Sequence, residues 1–374
     1  QRYPFVVMKI KSLTFINHQT GWNIKDAQFA NTTLLVGASG VGKTQILRAL
    51  RALCYVTLGN SFKGIEWEIS FSQDGKDYMW EGKFGLDGVP NPLKFIGEEM
   101  YPIVKERLVE DETILIQRDS AGLQYRGEET IRLDKYRSAI DLLKEEEGLG
   151  SVVEAFRQVY ELEDASRIMF PFETSDAIFS KPQTLDSIKI RRKDSPMHNL
   201  YLLKKNCLDE FETISEAFKS IFPLVEEIDF TVEYLDGDYV IPILHIKEKG
   251  VHAPISYSSI SSGMRKTLSQ ITALALAKDG DVILIDEFEN GLGVNCIDLL
   301  ADLVRNPDAD VQMIITSHHP YIINTIPTSQ WKVVTRNGSD VSIHNASELN
   351  IGTHSHHDAF MQLLQTNAYK TGQL

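Results

Sequence analysis

Leu34-Leu35-Val36-Gly37-Ala38-Ser39-Gly40-Val41-Gly42-Lys43-Thr44 joins a strand, a turn and a helix start in one line. Residues 33–36 form an apolar run of strand type, and from Gln45 onward Ile46, Leu47, Leu50 and Leu53 fall at helical spacing. Between them lies GxxxxGK[ST], in the strand–turn–helix setting that this pattern requires. Glycines let the backbone turn its amides inward, so N–H groups of Gly37, Ala38, Ser39, Gly40, Val41 and Gly42 wrap a phosphate. The helix start adds the positive end of its dipole. Lys43 then reaches the outer phosphates of a nucleoside triphosphate, and the Thr44 hydroxyl holds Mg2+. A glycine turn without a ligand is the bland alternative; the flanking strand and helix speak against it.

Downstream, the apolar strand Val282-Ile283-Leu284-Ile285 ends in Asp286-Glu287. Carboxylates emitted by a buried strand are costly unless something uses them. Beside a phosphate loop, Asp286 is expected to orient the Mg2+ shell and Glu287 to polarise the attacking water. An acidic helix cap would also favour such a pair. Ile260-Ser261-Ser262-Gly263-Met264 opens a helical stretch, and a Ser–Gly start offers a second anion-binding helix end. Alone, it is equally an ordinary cap. Ile314-Ile315-Thr316-Ser317-His318-His319-Pro320 sets a histidine just past another apolar run, where a lone histidine is commonly structural.

The 374 residues, 43% hydrophobic and 24% charged, suffice for a packed core in one or two domains. Strand patterns fall at residues 5–15, in an alternating hairpin over 65–85, and at 114–118, 228–234 and 239–246. Helical sequence rich in Glu and Lys fills 132–221, and further helices are expected over 264–277 and 294–304. With the apolar runs 282–285 and 312–316, this alternation predicts an α/β fold whose parallel sheet is covered on both faces. The expected domains are a first lobe over 1–130, a helical insertion over 131–224 and a second lobe over 225–374.

No apolar run is long enough to span a bilayer, so no membrane partner is expected. The opening QRYPFVVMKI lacks the charged start and apolar run of a signal peptide and reads as a trimmed N-terminus. Cys54, Cys207 and Cys296 stand apart, without disulfide or zinc spacing, and a reducing cytoplasmic setting is expected. A net charge of −14 excludes a protein that coats nucleic acid over its whole surface, but not a local basic strip. Lys189, Arg191, Arg192, Lys193, Lys204 and Lys205 offer such a strip, as a DNA track, a solvated helix face or a dock for an acidic partner. His354-Ser355-His356-His357-Asp358 holds potential metal ligands, yet adjacent positions rarely converge on one ion, and an exposed loop or interface segment is expected.

In order and spacing, these pieces resemble the ABC-type ATPases, specifically the SMC, Rad50, RecF and OLD branch, over roughly residues 5–120 and 225–325. The resemblance implies an ABC-type P-loop ATPase head with a mainly parallel core sheet, an antiparallel β subdomain and a helical insertion. It implies ATP and Mg2+ as cofactors. By it, ISSGM stands in place of the LSGGQ signature, with Ser261 and Gly263 at its Ser and second Gly, and DEFENGLG is Walker B plus D-loop. His318 becomes the switch histidine of a T-x-H-x-P pattern, with His319 its rival, and Gln117 in ILIQRD becomes the Q-loop glutamine after a strand. Ser262 and Met264 depart from the transporter consensus, and Gly293 stands where a D-loop Asp or His is frequent.

In this family the signature of one subunit completes the phosphate site of another. Lys43, Thr44, Gln117, Asp286, Glu287 and His318 would then act in cis, Ser261 and Gly263 in trans, and a homodimer or higher homo-oligomer is expected. The stretch between Gln117 and Ser261 is too short for an SMC or Rad50 arm, and no acidic cluster after His318 matches the nuclease domain of OLD proteins. The chain thus resembles stand-alone ATPase components of bacterial anti-phage systems, in which ATP-driven pairing controls an effector protein, a nuclease or a toxin. A RecF- or Rad50-like DNA-binding clamp in repair is the alternative; a transporter subunit fits the signature and D-loop worst.

Overall fold

A computed structural model describes residues 7–91, 99–162, 181–235, 239–352 and 355–374. In chain order these hold β1 (Met8–Asn17), β2 (Asn23–Gln28), β3 (Thr32–Val36), the phosphate-loop helix (Lys43–Val56), β4 (Ile65–Gln73) and β5 (Lys76–Phe84). A ribbon of β6 (Val89–Pro90) and β7 (Glu99–Met100) precedes β8 (Ile103–Glu110), β9 (Thr113–Asp119), β10 (Gly122–Tyr125) and β11 (Glu128–Glu129). After helix Leu149–Arg157 come β12 (Val159–Glu161), helices Leu185–Ile190, Pro196–Asn206 and Leu208–Ile221, then β13 (Val225–Leu235), β14 (Tyr239–Glu248) and β15 (Ile255–Ser256). The signature helix (Ser262–Ala275), β16 (Val282–Ile285), helix Val294–Arg305, β17 (Gln312–Thr316), helix Pro320–Thr325, β18 (Trp331–Asn337), β19 (Asp340–Asn345) and helix His356–Gln365 follow.

Two compact units emerge: residues 1–161 with 279–288 and 310–374, and residues 162–278 with 289–309. In the first, one sheet of 14 described strands runs β11-β10-β9-β8-β5-β4-β1-β2-β19-β18-β3-β17-β16-β12. Its β18-β3-β17-β16-β12 end is parallel, and its β1 to β11 arm is antiparallel. The expected parallel core and antiparallel subdomain are therefore two ends of one continuous ladder. At the β4–β5 hairpin, Asp74 and Gly75 both take positive φ, 51° and 82°, the geometry that suits a two-residue turn to the strands' twist.

The division differs from three consecutive blocks. Residues 139–161 belong with the sheet, because helix Leu149–Arg157 buries Phe156 against Phe71 and Trp80, each with ring centroids 5.3 Å away. β12, inside the stretch expected to be helical, pairs in parallel with β16. Fully buried Glu106 ties this region to the antiparallel arm: it accepts from Ser138 Oγ at 2.5 Å, Ala139 N at 2.8 Å and Trp80 Nε1 at 3.2 Å, with Arg118 Nη1 3.9 Å away. Burial pushes its carboxyl above the usual range, against the pull of Arg118 and these donors.

The second unit holds helices Leu185–Ile190, Pro196–Asn206 and Leu208–Ile221, the β13-β14-β15 sheet, the signature helix and helix Val294–Arg305. Phe211, Ile214 and Phe218 give helix Leu208–Ile221 its buried face. Among the described residues no helix is long and apolar enough to cross a membrane.

Candidate nucleotide site

In open α/β sheets, ligands gather at the carboxyl ends of parallel strands. Here β3 emits the phosphate loop, β16 emits Asp286-Glu287, and β17 runs into Ser317-His318. The loop is held from behind. Gly37 sits at φ 149°, and a Cβ there would lie 2.5 Å from the Val334 carbonyl oxygen, so glycine is required by both backbone and space. Lys43 is 5% exposed, and its Nζ donates to the carbonyls of Gly37 and Ala38, each at 2.8 Å. Val41, Gly42 and Lys43 are buried, and Ser39 and Gly40 form the exposed rim.

The Thr44 hydroxyl donates to Asp286 Oδ1 at 3.1 Å, which joins the loop helix to the end of β16. Sequence reasoning missed the third member of this group. Thr316 Oγ1 donates to the same Asp286 oxygen at 2.7 Å and accepts from the Glu287 backbone N–H at 2.7 Å. The Thr316 carbonyl accepts from Phe288 N at 3.0 Å. Clamped this way, Glu287 adopts φ 47°, a conformation costing on the order of 1–3 kcal/mol for a residue with a side chain. Glu287 is exposed beside half-buried Asp286. A hydroxyl that ends an apolar strand was the available signal in IITSHHP.

The two histidines differ in placement. His319 Nδ1 accepts from Tyr321 N at 3.2 Å and caps helix Pro320–Thr325. His318 is half-buried at the end of β17, where Ser317 N approaches the Leu35 carbonyl at 3.4 Å. Arg336, also missed, donates from Nη1 to the Gly40 carbonyl at 3.1 Å, with its guanidinium 4.4 Å from the Trp22 ring centroid. Nothing in KVVTRN marks that residue, since its partners stand far away in the sequence.

Gln117 is placed otherwise than expected. It lies inside β9, opposite Arg107 in β8 and Gln124 in β10, not after a strand. On the side of β16 away from β17 lies β12, and its end is marked by Glu161, which pairs with Arg51 of the loop helix. Ser261 caps the signature helix and accepts from Met264 N at 3.3 Å, with Ser261 and Ser262 exposed. Of the basic strip, Arg192 is 6% exposed, Arg191 pairs with Asp194 at 3.0 Å and Lys204 with Asp229 at 2.6 Å. His354 lies outside the described residues. Ser355 caps helix His356–Gln365, accepting from Asp358 N at 3.0 Å, and no metal-ligand cluster occurs among the described residues.

The profile of the family described as "AAA domain, putative AbiEii toxin, Type IV TA system" matches residues 32–324, from the start of β3 into the helix after His318-His319. The chain belongs to this family. It carries the AAA-type P-loop ATPase domain of that family. Among solved structures, an SMC head bound to the C-winged helix domain of ScpA superposes with a TM-score of 0.54 at 12% identity, over 90% of this chain and 97% of that one. An Smc head with an extended coiled coil, bound to the C-terminal domain of ScpA derived from Pyrococcus furiosus, matches at TM-score 0.49 and 12% identity, over 90% and 96% of the two chains. The first likeness establishes the head fold. No curated protein matches the chain.

Proposed function

We propose that this ATPase hydrolyses ATP with Mg2+, pairs with a second copy of itself while ATP is bound, and thereby controls a partner effector, a nuclease or toxin, in bacterial anti-phage defence. The observation that carries the hydrolytic part is the convergence of the Thr44 and Thr316 hydroxyls on Asp286, with exposed Glu287 next in the chain. Thr44 and Asp286 form a hard oxygen donor set of the kind Mg2+ takes, and the buried Lys43 supplies fixed positive charge at the loop. When bound, the ion would neutralise charge on the phosphate oxygens. Inward-facing amides of the phosphate loop bind the phosphates, Asp286 orients the donor set, and Glu287 accepts the proton of the attacking water. His318 is assigned to sensing the outermost phosphate, and Ser261 and Gly263 to donating to it from the other copy. Gln117 stays a weaker proposal for the metal and water, given its mid-strand position.

Two findings support the regulatory part. The family's description speaks of a toxin and a TA system. The similar SMC head is itself bound to a domain of another protein. The DNA-clamp alternative is weakened, because burial of Arg192 and pairing of Arg191 and Lys204 break the basic strip. The test is the mass of Glu287→Gln in solution, with and without ATP and Mg2+, after recovery from its native cells. Doubling with ATP and a second protein retained is expected; a constant mass removes the pairing mechanism, and retained DNA favours the clamp.

A further inference from the structure

The backbone passes from the first compact unit to the second between Phe288 and Glu289. Phe288 is 1% exposed and held by Thr316, and the turn that follows is closed by Leu292 N donating to the Glu289 carbonyl at 3.0 Å. That turn lies directly on the start of the signature helix. Lys266 Nζ donates to the Asn290 carbonyl, and the Lys266 side chain is 9% exposed. A Cβ on Gly263 would lie 3.2 Å from the Gly291 carbonyl oxygen and 3.8 Å from Gly293 N. Gly291 takes φ 75°, which turns the chain so that adjacent carbonyls face the helix.

A lysine brought out of water to serve main-chain carbonyls is a poor way to gain stability, since a buried ammonium carries a large desolvation cost. Its specific effect is geometric: it holds a turn two residues past Glu287 against a helix whose cap is Ser261.

We propose that Lys266 is a positioning residue that clasps the Glu289–Leu292 turn to the signature helix, coupling each copy's hydrolytic carboxylate to the anion-binding helix end it offers to the other copy. This rests on the paired-head mechanism proposed above. A backbone change at Glu287 reaches Asn290 through three peptide units, and the clasp passes it to the first turn of the helix.

The test uses the full chain and Lys266→Met, which keeps the apolar stem and removes the donor, with Gly263→Ala as an independent wedge at the same contact. In both variants, turnover per site is expected to fall about tenfold, the scale of one lost hydrogen bond to a charged group, while KM for ATP stays within about twofold. In the Glu287→Gln background, each is expected to raise the concentration needed for ATP-dependent pairing by about tenfold. KM rising in step with the fall in turnover would mean a structural role and overturn the clasp. Pairing and turnover unchanged, with Glu287→Gln alone still pairing, would overturn the clasp and leave the paired-head mechanism standing. Failure of Glu287→Gln alone to pair would remove both.

Discussion

The phosphate loop and the signature helix begin in the same way, with small residues at a helix N-terminus, yet the protein treats them oppositely. Around Gly37–Thr44 the tertiary structure closes in: Lys43 is buried, Gly37 backs onto Val334, and Thr44 is tied to Asp286. At Ser261–Met264 the helix end stays open, with Ser261 and Ser262 exposed and only Gly263 packed from behind. A helix dipole alone is a weak, screened attraction. The first start is enclosed within its own unit; on the proposed pairing, a second copy would enclose the other.

The largest effect is expected where the enclosed site does its chemistry. Glu287→Gln should slow hydrolysis about 10²–10⁴-fold, the range of general-base loss, with ATP affinity kept; single-turnover phosphate release checks it. If hydrolysis persists, the carboxylate beside Asp286 is not the base. Lys43→Ala should weaken ATP binding by roughly 10- to 100-fold, as expected for losing a charged hydrogen-bond donor, measured by titration calorimetry. A smaller loss would mean that enclosure by Lys43 contributes little and would bring the two helix starts closer together.

Gly37→Ala tests enclosure through the backbone. Its Cβ cannot clear the Val334 carbonyl, so a loss of about 1–3 kcal/mol in stability and weaker ATP binding should appear together in melting curves with and without nucleotide. Ser261→Ala should cost the open helix about 1 kcal/mol of capping and leave ATP affinity of the single copy unchanged, while ATP-dependent pairing weakens in sedimentation. Loss of ATP affinity in the single copy would contradict the division between enclosed and open sites.

Glu106 supplies a control outside both helix starts. Its carboxyl is raised above 4.5 in the folded chain, so the folded state keeps a proton that the unfolded state has lost. Stability should therefore decline as pH rises from about 4.5 toward the folded value, and Glu106→Gln should flatten that decline in pH-dependent melting. ATP affinity at fixed pH should not follow it.

Much of the candidate machinery was legible because its parts are local. GxxxxGK[ST] between a strand and a helix, two carboxylates ending an apolar run, and a Ser–Gly helix start each draw their chemistry from neighbours within a few positions. The same holds for β16, β17 and the β4–β5 hairpin, whose patterns lie in short windows. His319's capping of its own helix is local too, two positions from its partner Tyr321.

Residue chemistry, the strand–helix alternation and the order of the motifs were thus determined by the sequence alone. Tertiary structure decided what those residues are bonded to. β12 becomes a strand only because β16 offers it a parallel edge, 123 positions later in the matched pair Val159 and Val282. Thr316 becomes the hinge of the acid pair, Gln117 falls inside a ladder instead of after it, and Lys266 meets the turn beyond Glu287. Such partners are separated by long loops whose closure entropy depends only weakly on length, so no local pattern announces them. Propensity and spacing act along the chain, whereas hydrogen-bond satisfaction of buried groups is settled across it.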